Sequence, residues 1–160
     1  MVAIGLFERI VELLDSKSIK YIIIEHAPTV TSVDSARERG ELLKIGAKAL
    51  LVKIEERFLL CVLPADRRLN SSAVKILFNV KSMRFADEEE LGQITGCVKG
   101  AVPPFGNLFG DQKGVEMVVD RSLFEEEYMA FNAGLSDRSI KMRTEDYKKF
   151  MRPRIEAIAQ

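Results

Sequence analysis

The sequence is short of the residues that most often carry metal and nucleophile chemistry, with one histidine (His26) and two cysteines (Cys61 and Cys97) in 160 residues. Two cysteines cannot build a disulfide framework, and a single histidine leaves a structural zinc site short of ligands. A serine–histidine–aspartate or cysteine–histidine mechanism would have to use His26. The motifs G-x-G-x-x-G, the Walker loop and G-x-S-x-G are also absent. We therefore expect no metal and no cofactor, and we expect any catalysis to rely on backbone groups, a lysine or the substrate itself.

The chain also lacks an excess of either charge and a long hydrophobic run. Lysine plus arginine and aspartate plus glutamate both number 24, so a strongly basic nucleic-acid-binding coat is excluded, whereas a local basic patch is not. No apolar run approaches the ~20 residues of a membrane-spanning helix. The start of the chain has no basic stretch followed by an apolar one, as a secretory signal would have. We expect a reduced, cytoplasmic protein without a membrane segment.

What the sequence does contain favours one folded domain. Hydrophobic residues make up 47% and charged residues 30% of the chain, which is typical of a globular protein and not of a disordered one. A chain of 160 residues fits one domain of ordinary size, and it shows no repeat, low-complexity tract or linker. We predict a single freestanding domain over residues 1–160.

Hydrophobic periodicity predicts strands and helices in a mixed order. The runs AKALLVKI (47–54) and FLLCVL (58–63) predict a hairpin, and because both runs are almost continuously apolar, they predict a sheet covered on both faces. Further strands are predicted at 21–24, 81–85, 115–119, 128–132 and 140–143, with a short helical or turn segment at 122–127. Helices are predicted at 3–15, at 33–39 between a Thr31-x-x-Asp34 cap and Gly40, at 71–79 after Asn70, from Asp87 onward, and at 145–158 after Thr144, with Pro153 able to bend or interrupt the last. Since no regular βαβ order appears, the predicted α/β fold is a mixed, barrel-like sheet flanked by helices.

Lys48 is the first residue that can carry chemistry. It lies on the predicted strand 47–54 and shares a face with Leu50, Val52 and Ile54. A lysine that points toward a core loses solvation unless an anion meets it or its pKa falls. Two interpretations follow. Lys48 lies at the end of the strand and its ammonium group extends to water, or Lys48 belongs to a functional site.

The second candidate is the loop TGCVKGAVPPFGNLFG at 95–110, whose four glycines and two prolines exclude continuous helix or strand. The N–H groups of Gly100 and Ala101 are candidates to hold an oxyanion. The alternative is a rigid surface loop without a ligand. Cys97 lies in this loop, but no second histidine is present to activate it as a nucleophile.

Two further positions each allow a plain and a functional interpretation. His26 follows a predicted buried strand, where a histidine bonded to the backbone is the plain interpretation and a substrate contact is the functional one. Asp66 and Arg67 follow the second strand of the hairpin, as a solvated turn or as part of a pocket rim that contacts phosphate.

Four blocks in one order carry a resemblance to a known family. They are EHAPTVTSVDSA (25–36), GAKALLVK (46–53), LPADRRLN (63–70) and TGCVKGAVPPFG (95–106), and the last contains a G-x-x-x-P loop from Gly100 to Pro104. A weaker match is NAGLSDRSIKM (132–142). Over about residues 20–150 the chain resembles the YbaK-like family, also called the prolyl-tRNA-synthetase-associated editing-domain family.

The resemblance implies a barrel-like mixed sheet and the hydrolysis of the ester that joins a wrong amino acid to tRNA. It implies that Lys48 contacts the tRNA end and that the loop with Gly100, Ala101, Pro104 and Gly106 holds the aminoacyl carbonyl. Ser136, in the weaker block, is a further candidate substrate contact together with His26, Asp66 and Arg67. The expected partner is the acceptor end of an aminoacyl-tRNA, with an aminoacyl-tRNA synthetase as a further candidate partner.

Ester hydrolysis needs a nucleophile and a place for the negative charge that develops on the carbonyl oxygen. Water is the expected nucleophile, oriented by the ribose hydroxyl, and attack by a thiol of the substrate is an alternative in this family. The family's pockets accept groups the size of alanine, cysteine, proline or serine. Two other functions stay open: a catalytically silent module that binds a tRNA end, a nucleotide or a synthetase, and a hydrolase of a different small ester.

Overall fold

The computed structural model describes residues 5–29, 31, 34–35, 37, 43–109 and 114–160. In these residues the helices are α1 (Leu6–Ser16), α2 (Ser71–Phe78), α3 (Glu88–Thr95) and α4 (Thr144–Met151), with 3-10 turns at Leu43–Ile45, Gly106–Leu108 and Arg121–Glu125. The strands are β1 (Tyr21–Glu25), β2 (Ala47–Ile54), β3 (Arg57–Pro64), β4 (Met83–Phe85), β5 (Glu116–Asp120), β6 (Tyr128–Leu135), β7 (Arg138–Arg143) and β8 (Arg154–Glu156).

The strands form two sheets. The larger has the order β4-β2-β3-β5-β8, with an antiparallel β2–β3 hairpin and parallel pairs on its other side. The smaller is the antiparallel sheet β1-β7-β6. A parallel bridge between Gly46 and Ala130 joins the start of β2 to β6. The prediction of a mixed α/β fold flanked by helices is confirmed.

Apolar side chains cover both faces of the β2–β3 hairpin, as the continuous apolar runs predict. The larger cluster fills the space between the two sheets and includes Ile10 and Leu14 of α1. The smaller cluster lies under α2 and contains Val52, Ile54 and Cys61. Burial raises the pKa of the Cys61 thiol to about 12, so this cysteine is a core residue, as expected.

The predicted caps at Asn70 and Asp87 are formed, whereas the predicted cap at Thr144 is wrong. Thr144 is the first residue of α4, Arg143 holds the cap position, and the Thr144 hydroxyl donates to the Glu126 carbonyl instead. Asn70 Oδ1 accepts from the Ala73 N–H (3.1 Å), and Asp87 forms a reciprocal capping box with Glu90. The Asp34 N–H donates to Thr31 Oγ1 (3.1 Å), which is the predicted start of the helix at 33–39. Most of that helix, with Gly40 at its end, lies outside the described residues.

The prediction of one helix over 145–158 is wrong. Helix α4 ends at Met151, Arg152 adopts a left-handed conformation, and the chain continues as β8 parallel to β5. Pro153 explains the break, because its ring disfavours the helical conformation in the preceding residue and its nitrogen has no proton to donate.

The strand predicted at 128–132 is longer in the structure. It continues as β6 to Leu135, with a register shift against β7 between Asn132 and Leu135. Gly134 has a φ of +86°, a conformation that favours glycine, and a side chain there would press against Leu6 of α1. A glycine that signals a turn in the sequence therefore allows a bulge inside a strand.

None of the described helices is both long and apolar enough to cross a membrane.

Candidate functional site

A cavity of about 770 Å³ lies beside the first half of β2. Its lining comes from the start of β2, from β6, from the glycine-proline loop and from the segment that leads into α3: Thr31, Ser35, Gly46, Ala47, Lys48, Ala49, Leu50, Leu51, Ala65, Phe85, Ala86, Asp87, Glu88, Leu91, Lys99, Gly100, Val102, Ala130, Phe131 and Asn132. A volume of this size is typical of a small-molecule site.

The cavity exists because one edge of β2 is only partly paired. Strand β4 pairs with Val52–Ile54 alone, so no strand of the described sheet pairs with this edge from Ala47 to Leu50. The Leu51 carbonyl accepts from the Ala86 N–H on this side, and because strand backbone groups alternate in direction, the N–H and C=O of Ala49 point the same way. Ala49 therefore offers a backbone donor and acceptor at the cavity wall.

Lys48 lies in this wall at the start of β2, and its side chain is half-buried. Its Nζ is 3.5 Å from the Ala65 carbonyl oxygen. Desolvation lowers the pKa of Lys48, with Asp66 opposing the shift and Arg68 adding to it. Of the residues predicted to share a strand face with Lys48, Leu50 lines the cavity with it. Val52 and Ile54 belong to the smaller core cluster instead.

The glycine-proline loop forms another part of the wall. Gly100, with a φ of +87°, and Val102 line the cavity. The N–H of Ala101 donates to the Val98 carbonyl (3.1 Å), and its carbonyl accepts from the Gly134 N–H (2.9 Å). The predicted oxyanion donor at Ala101 is corrected accordingly, because that proton is already used within the loop.

Pro104 and Gly106 fix the loop to the rest of the fold and are not among the lining residues. The Pro104 carbonyl accepts from the buried Tyr147 hydroxyl (2.6 Å), and the Gly106 carbonyl accepts from the Val115 N–H (2.8 Å). Cys97 is buried outside the lining, and burial raises the pKa of its thiol despite a hydrogen bond with Thr95. Both features disfavour a nucleophilic role for this cysteine.

His26, Asp66, Arg67 and Ser136 also lie outside the lining. His26 Nε2 is 2.8 Å from Ser139 Oγ, and the Ser136 carbonyl accepts from the Thr29 N–H (2.9 Å). Asp66 contributes negative charge near Lys48, which opposes the lowering of the Lys48 pKa. The structure therefore brings Lys48 and Gly100 together and leaves these four predicted contacts outside the cavity.

Sequence reasoning missed several cavity residues. Asn132 and Ser35 are buried and hydrogen-bonded to each other (Nδ2 to Oγ, 3.0 Å), although they are 97 positions apart in the chain. Phe85, 58% exposed, lies at the rim. A buried asparagine within a strand is a signal that could have been used, because such a side chain needs partners for its amide.

The cavity has a charged rim and a largely apolar wall. Lys48 and Lys99 supply positive charge, and Asp87 and Glu88 at the start of α3 supply negative charge. Small apolar residues, among them Ala47, Ala49 and Ala130, leave space between these groups. Among the described residues, no three histidine, cysteine, aspartate or glutamate side chains are grouped to hold a metal.

Known proteins resemble this chain over most of its length. Residues 26–150 match the family model described as the aminoacyl-tRNA editing domain. The chain is 29% identical over 153 residues to the multifunctional Ser/Thr-tRNA deacylase ProXp-y of Escherichia coli K12, covering 92% of this chain and 89% of that protein. It is 24% identical over 147 residues to the prolyl-tRNA editing protein ProX of Acetoanaerobium sticklandii, covering 91% and 90%. A crystal structure of a proposed trans-editing enzyme for prolyl-tRNA synthetase superposes with a TM-score of 0.81 at 18% identity, covering 99% of each chain.

Proposed function

The chain belongs to the aminoacyl-tRNA editing domain family, and from that premise we propose that it is a deacylase that acts in trans in the cytoplasm and hydrolyses the ester of a small amino acid misattached to tRNA. The observation that carries the proposal is that Lys48 and Gly100 line one cavity of about 770 Å³. The relatives named as deacylase and editing protein support the reaction class.

In the proposed mechanism, Lys48 binds a phosphate or ribose oxygen of the terminal nucleotide as a point charge. The Gly100 segment receives the aminoacyl carbonyl, because the Gly100 N–H has no acceptor among the described residues and its backbone lines the cavity. Hydrogen bonds to the carbonyl oxygen that strengthen as it gains charge lower the barrier to hydrolysis. Water attacks the carbonyl carbon, oriented by the neighbouring ribose hydroxyl, and the tRNA hydroxyl leaves with a proton.

The rim suits the end of a nucleic acid. Phe85 is exposed beside the cavity, where its ring offers a stacking surface for a base. Lys99 lines the same cavity as Lys48, and two cations at one cavity suit the phosphates on either side of a terminal nucleoside. A tRNA acceptor end is therefore the proposed partner, and a synthetase that hands over this tRNA is the proposed second partner.

Hydroxyl groups in the wall favour serine or threonine as the amino acid. Thr31 Oγ1 accepts from the Asp34 N–H, and among the described residues its hydroxyl proton has no acceptor. A hydroxylated side chain finds a donor there, whereas alanine and proline offer no matching group. The relative that is named as a Ser/Thr-tRNA deacylase agrees with this choice.

The test is a deacylation assay with tRNAs carrying serine, threonine, alanine, cysteine or proline. We expect fastest release from seryl- or threonyl-tRNA, and Lys48→Met should lower kcat/KM about 10- to 100-fold, the range for losing a hydrogen bond to a charged group. Lys53→Met is the matched control, because Lys53 lies on the same strand over the Phe58 ring and outside the lining.

Because burial lowers the pKa of Lys48, its contribution should also disappear on the alkaline side at a lower pH than for an ordinary lysine. Release from none of the five substrates, together with tight, salt-dependent tRNA binding, would contradict the deacylase and favour a binding module. Release from small amino-acid esters at the same rate without tRNA would favour a different ester hydrolase.

A further inference from the structure

A chain of hydrogen-bonded side chains runs through the buried region behind the Gly100 segment. Asn132 Nδ2 lies 2.8 Å from the Gly100 carbonyl oxygen and 3.0 Å from Ser35 Oγ. Asn132 Oδ1 lies 2.9 Å from Ser139 Oγ, and Ser139 Oγ lies 2.8 Å from His26 Nε2. Since Asn132 is 7% exposed and Ser139 is fully buried, these polar groups depend on one another for partners.

The position of each proton in this chain follows from the Gly100 carbonyl, which can only accept. Asn132 must therefore turn its NH₂ group toward Gly100, and its two protons go to Gly100 and to Ser35. No amide proton is left for a substrate, although Asn132 lines the cavity. Asn132 consequently acts through Gly100 and not directly on a bound molecule.

Donors and acceptors can be assigned in the same way from Asn132 through Ser139 to His26. Asn132 Oδ1 can only accept, so Ser139 donates its single proton to it. His26 Nε2 must then donate to Ser139 Oγ. His26 Nδ1 lies 2.8 Å from the Ala27 carbonyl oxygen. The Nε2 proton of His26 therefore extends the chain from Ser139 to the segment that follows β1.

The hydrogen bonds on the Ser35 side of Asn132 can be assigned in the same way. Thr29 Oγ1 lies 3.3 Å from the Ser136 carbonyl, to which it donates, and 2.6 Å from Ser35 Oγ. Ser35 therefore gives its proton to Thr29 and accepts from Asn132. Both branches end at backbone carbonyls, Ala27 and Ser136, so the chain anchors Gly100 to backbone at two separate places.

We propose that Asn132 and His26 are positioning residues of the proposed reaction, which hold the Gly100 carbonyl and so fix the backbone that receives the substrate. The inference rests on the proposed function. The Gly100–Ala101 peptide is held on its other side by the Ala101 N–H bond to Val98, so Asn132 determines how this peptide is tilted toward the cavity. A small misplacement of a group that contacts the reacting atoms can reduce the rate about 10²-fold.

The charged groups adjacent to His26 on the elements that hold it are paired elsewhere or exposed. Glu25 on β1 and Arg138 on β7 approach each other at 4.0 Å, and Asp137 in the turn accepts the His26 N–H through its backbone carbonyl. Among the described residues, the His26 ring nitrogens make hydrogen bonds to the Ala27 carbonyl and to Ser139 Oγ, and neither partner is a carboxylate.

The decisive variant is Asn132→Asp, which keeps the shape but places a second oxygen against the Gly100 carbonyl. We expect kcat on the preferred aminoacyl-tRNA to fall about 10- to 100-fold while KM changes less than about twofold. Asn70→Asp is the matched control, because it makes the same chemical change at a helix cap where aspartate serves equally well. Parent kcat in a folded Asn132→Asp variant would overturn the proposal.

Ser139→Ala serves where Asn132→Asp does not fold, since it keeps the Asn132 side chain that donates to Gly100 while it removes the donor to Asn132 Oδ1 and disconnects His26. It should lower kcat by a smaller factor at unchanged KM, and kcat equal to the parent would overturn the role of His26. Thermal unfolding of each variant separates a loss of stability from this effect on the rate.

A readout without substrate separates this inference from the proposed function. His26 is the single histidine of the chain, so a ¹⁵N-edited spectrum of its ring needs no assignment. We expect an N–H signal from Nε2 in the parent and its loss in Ser139→Ala. A ring without a proton on Nε2 would overturn the proton arrangement even if the enzyme is active. An inactive parent that shows the Nε2 signal would contradict the deacylase and still support the chain.

Discussion

Two buried polar groups fix backbone in this protein, Asp120 at the end of β5 and Asn132 in β6, and they do so with opposite chemistry. Asp120 collects donors on a carboxylate: the N–H and hydroxyl of Ser122 and the N–H groups of Ile158 (2.8 Å) and Ala159 (2.9 Å). Asn132 is neutral and passes hydrogen bonds from one side chain to the next.

The difference lies in what each group holds. Asp120 ties the C-terminal segment to β5 and is not among the cavity residues, whereas Asn132 holds a cavity residue. Burial raises the pKa of Asp120, but the hydrogen bonds from Ser122, Ile158 and Ala159 outweigh it, so the net pKa is below the usual value.

The largest expected effect comes from removing the structural anchor. Asp120→Ala leaves several buried N–H groups without an acceptor and should lower the free energy of unfolding by about 3 kcal/mol, measured by urea unfolding. The kcat per folded molecule should stay within about twofold of the parent. Asp137→Ala, at an exposed turn, is the control for loss of a carboxylate. A large fall in kcat in folded Asp120→Ala would remove the distinction between the two groups.

A change of pH should sharpen the comparison by acting on one anchor only. Because the folded-state pKa of Asp120 is lowered, its contribution to stability is complete above the unfolded-state pKa of about 4 and is lost as the pH falls toward the lower folded-state value. Urea unfolding between pH 7 and pH 3 should show this loss in the parent and a flatter profile in Asp120→Asn. Equal slopes for the two proteins would contradict the assignment.

The smallest effect is expected at Tyr147, which holds the far end of the glycine-proline loop. Burial raises the pKa of its hydroxyl, which stays protonated and donates to the Pro104 carbonyl (2.6 Å). Tyr147→Phe should lower the free energy of unfolding by about 1 kcal/mol. Its effect on kcat should be below that of Asn132→Asp, since Pro104 lies outside the cavity lining. A larger effect on kcat than that of Asn132→Asp would place the positioning role at Pro104 instead.

Much of the fold could be predicted because it depends on neighbours in the chain. The β2–β3 hairpin follows from two apolar runs and a short turn, and α2 begins after Asn70 as its cap predicts. The end of the chain could not be predicted by the same rules, because β8 exists through its pairing with β5, about 36 positions earlier.

The candidate site also contains residues that the sequence predicted and residues whose role depends on the fold. Lys48 and Gly100 were found from local pattern and from resemblance, and they line one cavity. Ala101 looked equivalent to Gly100, but its proton is used by Val98. His26 was predicted as a substrate contact, yet the structure links it to Gly100 only through Ser139 and Asn132.

The sequence by itself determined the class of fold, the apolar hairpin and the family, because periodicity, caps and ordered motifs are properties of residues close in the chain. Only the tertiary structure decided which backbone protons are free at the cavity and which side chains support them. Hydrogen bonds such as that between Ser35 and Asn132 join positions far apart in the sequence, and their donors and acceptors can be counted only once the fold has brought them together.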